Sequence, residues 1–221
     1  MRHMGTVYMS VDTDRRLIGY VESLGCKAVL TEPLPGVERA ISAHPDIAMC
    51  KLGVRPDSPV YRAEAGQVRA GYPACVPFNA VCLDSFFIHC LKYTDPGLLK
   101  AAKDMGLEPV NVNQGYTKCS CVVVDGSSVI SADRGIKAAL DRLPGISCLL
   151  IRPGFVELPG YDCGFLGGAS GRVGDELIFN GNLSAHPDRE EIYAFAESRG
   201  LRIKYFSDYP LTDVGSIIET L

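Results

Sequence analysis

The stretch YTKCSCVVVDGSSVISADRGIKAALDRLPGISCLLI, residues 116–151, decides the fold. An apolar run at 119–124 is followed by the turn signal Asp125-Gly126 and a second short run at 127–131. From 132 to 143 the apolar spacing changes from strand-like to helical, with Ile136, Ala139, Leu140 and Leu143 on one face. Asp133 is a suitable N-cap, Pro144-Gly145 ends the helix, and SCLLI at 147–151 reads as a strand. The stretch therefore predicts a β-turn-β-α-β unit.

The same order recurs on both sides. Upstream come NAVCL (79–83), a turn at Asp84-Ser85, FFIHC (86–90), a helix DPGLLKAAKDMG (95–106) and LEPVNV (107–112). Downstream come DCGFLGG (162–168), a glycine-rich turn ASGRVGD (169–175), ELIFNG (176–181), a helix within 186–200 and LRIKYF (201–206). HPDIAMCKLG (44–53), RPDS and PVYRA give two strands of an earlier unit, but EAGQVRAGYP (64–73) is too short and Gly-rich for its helix. The N-terminal segment reads strand, helix, strand and lacks a first strand, whereas 211–221 reads as one lone strand. Pairing the two ends completes a fifth unit and removes open sheet edges. The expectation is a single-domain α/β propeller of five units (44–74, 76–112, 116–151, 161–206, and 211–221 with 5–32), about 44 residues each.

Composition narrows the function classes. The chain has 221 residues, 47% hydrophobic and 22% charged, and a net charge of −4, so the basic footprint that nucleic acid requires is missing. Its apolar runs are strand-length, short of the roughly 20 residues of a membrane helix. The N-terminal stretch has no apolar core of an export signal, which predicts a cytoplasmic location. Nine cysteines, an odd number scattered singly through apolar runs, read as reduced core thiols. Cys119 and Cys121 lack zinc-site spacing, so neither a metal nor a cofactor is expected. The glycine-rich run 164–174 links two strands rather than a strand and a helix, and so is a wide turn and not a phosphate loop.

Five β-β-α-β units closed by the chain ends resemble the pentein superfamily of guanidino-group-modifying enzymes. In that superfamily the last unit carries a nucleophilic cysteine in a phrase like Leu-Thr-Cys-x-Ser; here Leu211-Thr212-Asp213-Val214-Gly215-Ser216 stands there. The middle unit carries the general acid/base histidine where this chain has Tyr116-Thr117-Lys118. Asp46 resembles the aspartate that opens an early strand, and Phe78-Asn79-Ala80 occupies the place of a guanidinium-binding Gly-Gly-Asp segment. The resemblance implies a guanidino-type ligand, and the replaced letters imply that the standard Cys/His amidino chemistry is absent.

If the starts of the first strands converge, Asp46, Asn79, Lys118, Asp162 and Asp213 face one cavity with Tyr116 beside them. Three carboxylates against one ammonium suit a small cationic ligand, the expected partner. A non-catalytic scaffold with an axis filled by ion pairs is the alternative. A third reading keeps a relocated thiol, Cys119 or Cys163, with His44 as base; strand alternation opposes it, because neighbours of axis-facing residues point outward. His186 reads as a surface cap, His89 as strand packing, and the segment 54–78 as a lid or partner surface.

Overall fold

A computed structural model describes residues 5–221. The first four residues, part of the N-terminal stretch read above as lacking an export signal, lie outside the described residues. The described residues form an α/β structure with five small sheets.

Four sheets have three strands and one grammar. β1 (Thr6–Ser10), α1 (Arg15–Ser23) and β2 (Lys27–Thr31) are joined by the last strand, β14 (Ile218–Thr220), which runs antiparallel to β1 with Thr6 opposite Thr220. β5 (Val81–Cys82), β6 (Phe86–His89), α3 (Pro96–Asp104) and β7 (Glu108–Asn111) repeat the pattern. So do β8 (Cys121–Asp125), β9 (Ser128–Ser131), α4 (Arg134–Leu140) and β10 (Ser147–Leu150). The last set is β11 (Ser170–Val173), β12 (Glu176–Phe179), α5 (Arg189–Glu197) and β13 (Arg202–Lys204). In each, the first strand is antiparallel to the second and the second parallel to the third. The remaining sheet, β3 (Met49–Lys51) with β4 (Val60–Arg62), has no third strand and no helix after it, as the Gly-rich 64–73 segment predicts.

Each long helix buries one i, i+4 pair against its sheet: Leu17/Val21, Leu98/Ala102, Ile136/Leu140 and Ile192/Ala196. Asp14, Asp95 and Asp133 cap three of them by accepting first-turn amide hydrogens, 2.7–2.9 Å away. The apolar cores lie between successive sheets. One joins β3, β5 and β6 to α3, the next joins β5, β6, β8 and β9 to α4, and the next joins β8, β9 and β12 to α5.

Two sequence expectations need correction. DCGFLGG (162–168) is a loop, and the strand is SGRV, residues 170–173, inside the segment expected to be a turn. The first strand of this sheet is small-sided because β14 crosses it closely: a Cβ on Gly171 would collide with the Ile217 carbonyl. HPDI begins with a single helical turn, α2 (Pro45–Ala48), and only Met49–Lys51 is strand.

His89 is packing, as expected, and it is fully buried between the Thr94 hydroxyl (2.8 Å) and the Gly115 carbonyl (3.0 Å). Burial pushes its pKa down from 6.5 to about 4. A histidine depressed in the folded state contributes stability that is full above the unfolded value and lost as pH falls toward the folded one. Relative to His89→Gln, the wild type is expected to lose about 3 kcal/mol of unfolding free energy between pH 6.5 and 4, measured in urea. A wild-type/variant difference that is flat with pH would contradict the burial of a neutral ring.

Candidate functional site

Each first strand is preceded by a tight lead-in segment, and the five lead-ins meet. Hydrogen bonds join them in a closed circle. Asn79 Nδ2 donates to the Asp46 carbonyl (3.2 Å), Lys118 N to the Asn79 carbonyl (3.0 Å), and Gly168 N to the Cys119 carbonyl (2.8 Å). Ser216 N then donates to the Gly168 carbonyl (2.8 Å) and Asp46 N to the Gly215 carbonyl (3.2 Å). The turn at 213–216 needs two left-handed residues, Gly215 (φ 75°) and Ser216 (φ 72°). Serine in that region is strained, and such strain persists only where surrounding contacts impose it.

Inside the circle is a buried polar cluster. Asp46 is fully buried, and its Oδ2 accepts from Ser216 Oγ (2.6 Å) and Cys119 Sγ (3.1 Å). Lys118 Nζ donates to Ser216 Oγ (2.9 Å), bringing one positive charge to the carboxylate's partner. Asn79 uses its whole amide: Oδ1 accepts from the amides of Lys118 (2.8 Å) and Cys119 (3.2 Å), while Nδ2 also reaches Cys119 Sγ (3.2 Å). Asp213 accepts from the amides of Phe165 (2.9 Å) and Gly215 (3.0 Å), and its Oδ1 lies 3.8 Å from His44 Nδ1. One ring nitrogen of His44, Cys119 Sγ and an Asp213 oxygen all lie within 4.8 Å of one another. Among the described residues, His44 Nδ1 and Asp46 Oδ1 have no hydrogen-bond partner.

The electrostatics follow from this burial. Desolvation pushes the Asp46 carboxyl up, against the opposing charge of Lys118 and the hydrogen bond from Ser216. Asp213 is pushed up to about 6 by the same cause, restrained by its two amide donors. Burial and the two neighbouring carboxylates raise Cys119 well above a free thiol, so the resting group is S–H. Burial holds His44 low, leaving a neutral imidazole.

Asp46, Asn79, Lys118 and Asp213 are thus brought together, with Cys119 and His44 beside them. Strand alternation fails for Cys119 because 116–120 is a turn, closed by Ser120 N donating to the Tyr116 carbonyl (3.0 Å), so Lys118 and Cys119 both point inward. Asp162 is exposed, since its segment is a loop and not the strand assumed for it. Cys163 is half-buried beside a separate cavity with Phe155 and His186, and His186 is itself buried rather than a surface cap. Tyr116 directs its hydroxyl at Cys75 Sγ (3.2 Å) and joins a row of rings, Phe165, Tyr116 and Tyr72, with centroids about 6 Å apart. Phe165 donates its amide to Asp213, and Tyr72 belongs to the 54–78 segment, so the row borders one side of the cluster at Phe165.

On the other side, the first strands of all five sheets line one cavity, through residues such as Cys50, Cys82, Val124, Gly171 and Ile218. Of the cluster residues, only Lys118 reaches it. Ser216, which sequence reasoning did not select, bridges Asp46 and Lys118; its only advance signal was the Gly-Ser pair after Asp213.

Replacing Asn79 by Ala strips the partners from the buried Cys119 amide and the Asp46 carbonyl, while Lys118 N keeps the Asn79 backbone carbonyl. The expected cost is about 3 kcal/mol in chemical unfolding. A loss below about 1 kcal/mol would show that water or relaxation replaces the amide.

The chain belongs to a family of unknown function (DUF6873), whose pattern matches residues 59–218. That span includes Asn79, Lys118, Cys119, Asp213 and Ser216, and starts after His44 and Asp46. No curated protein sequence and no solved structure matches the chain. Among the described residues, no helix is long and apolar enough to cross a membrane.

Proposed function

We propose that this chain is a pentein-like α/β ring whose central cluster binds a small guanidinium or amidinium cation and attacks it with the Cys119 thiol. Support for the ring comes from the repeated β-β-α-β sheets, the β14–β1 pairing of the chain ends, and the circle of hydrogen bonds. One observation carries the chemistry: a buried thiol 3.1 Å from one carboxylate, with an unpartnered imidazole nitrogen and a second carboxylate within 4.8 Å. A planar cation takes paired hydrogen bonds from carboxylates, so Asp46 and Asp213 are the orienting groups.

In the reaction, Cys119 passes its proton to His44 Nδ1 as the sulfur bonds to the central carbon of the cation. The carbon–nitrogen bond to the departing amine breaks, and the amine leaves with the proton held by His44. Water then adds to the sulfur-bound carbon and the carbon–sulfur bond breaks. This step restores the thiol, releases one proton to solvent and leaves a urea from a guanidinium or an amide from an amidinium. Entry requires the ring cover formed by Tyr72, Tyr116 and Phe165 to open.

The test is chemical labelling read by peptide mass spectrometry. 2-Chloroacetamidine, a cation, is expected to modify Cys119 faster than neutral iodoacetamide does. Agmatine or arginine should protect, and Asp46→Asn should reduce the preference for the cation. Adducts confined to the half-buried Cys26, Cys148 and Cys163, with Cys119 untouched by the amidine, would overturn the assignment.

A further inference from the structure

His44, Cys119 and Asp213 also form a donor set of a different kind. Imidazole nitrogen, sulfur and carboxylate oxygen are the three ligand types of zinc and its close relatives, and they are contributed here by three lead-in segments far apart in sequence. We propose that His44 Nδ1, Cys119 Sγ and Asp213 Oδ1 form a site for one divalent transition-metal ion of the zinc type. The proposal goes beyond the cationic-ligand reading and uses the same thiol, so metal and organic cation occupy the cluster in competition.

Geometry is the first argument. Bonds of about 2.0–2.3 Å to a tetrahedral ion place neighbouring ligand atoms roughly 3.3–3.8 Å apart. His44 Nδ1 and Asp213 Oδ1 are 3.8 Å apart, and Cys119 Sγ is within 4.8 Å of a ring nitrogen of His44 and a carboxylate oxygen of Asp213, so a small contraction completes the set. All three residues are at most 4% exposed.

The second argument is the unpartnered nitrogen. A buried polar atom without a partner carries a desolvation penalty that native structures rarely leave standing. His44 Nδ1 is such an atom, 3.8 Å from Asp213 Oδ1. Asp46 Oδ1 is a second unpartnered acceptor in the same cluster, available to a water molecule on the ion.

Charge is the third. With the thiol ionised, Asp46, Asp213 and Cys119 carry three negative charges against the one ammonium of Lys118. A dication cancels the remainder in a site where uncompensated charge is most costly.

Cobalt(II) is the probe, because a cobalt–thiolate bond has its own charge-transfer absorption. Protein produced in cobalt-supplemented medium, and chelator-treated protein incubated with Co²⁺, are expected to hold one ion per chain and to show that band. Cys119→Ser should abolish the band, His44→Ala should weaken binding at least tenfold, and Cys163→Ser should change neither. Zn²⁺ should displace cobalt, raise the melting temperature of the wild type and slow amidine labelling of Cys119. No stoichiometric cobalt in wild type, or a band that survives in Cys119→Ser, overturns the proposal, and the first of these outcomes involves no variant. If metal-free Cys119 ignores the amidine while the cobalt band is present, the catalytic reading falls and the metal site stands.

Discussion

The circle of hydrogen bonds through Asp46, Asn79, Lys118–Cys119, Gly168 and Gly215–Ser216 is the constraint on which the rest of the structure depends. The first strands are only two to five residues long, and two- or three-stranded sheets of that size are marginal alone. Each sheet gains its stability from the neighbour whose apolar face it shares. The lead-ins place backbone amides and carbonyls in a buried centre, where each unpaired group costs about 1–3 kcal/mol, so all five must be in register together. Closure also falls on the chain ends, since the bond from Asp46 N to the Gly215 carbonyl joins the first lead-in to the last.

The chemistry is a by-product of that closure. Five short turns that point side chains at one axis leave little room for water, so whatever polar groups they carry must satisfy one another. Asn79 and Ser216 do so completely, whereas His44 Nδ1 and Asp46 Oδ1 do not. A packed axis would have served as a structural plug. The residual unpaired atoms, beside two carboxyls and one ammonium, are what the proposed cation site rests on.

Much of the architecture was legible because its signals are local. The change of period from two to 3.6, the Asp-Gly turn, the aspartate caps and the proline or glycine stops each act within one turn of chain, and together they predicted the sheets around 81–112 and 121–150. Gly171 shows where locality ends. Its strand has the composition of a turn, because what it must accommodate is the backbone of β14, about 46 residues away. The site was legible in part for a related reason. Asp46, Asn79, Lys118 and Asp213 were found by assuming that strand starts converge. Cys119 was turned outward by an alternation rule that holds in strands and not in the turn that carries it. The same error in strand placement put Asp162 on the axis, although it is exposed.

The most direct test of the closed axis is a double-mutant cycle between Asp46 and Ser216, side chains 2.6 Å apart and separated by 170 residues of chain. Asp46→Asn, Ser216→Ala and the pair would be compared by urea unfolding. The account predicts a coupling energy of at least about 1 kcal/mol, because each substitution removes the partner of the other. Effects that add within about 0.5 kcal/mol would mean that the first and last lead-ins do not meet at a shared buried carboxylate, and would contradict the account.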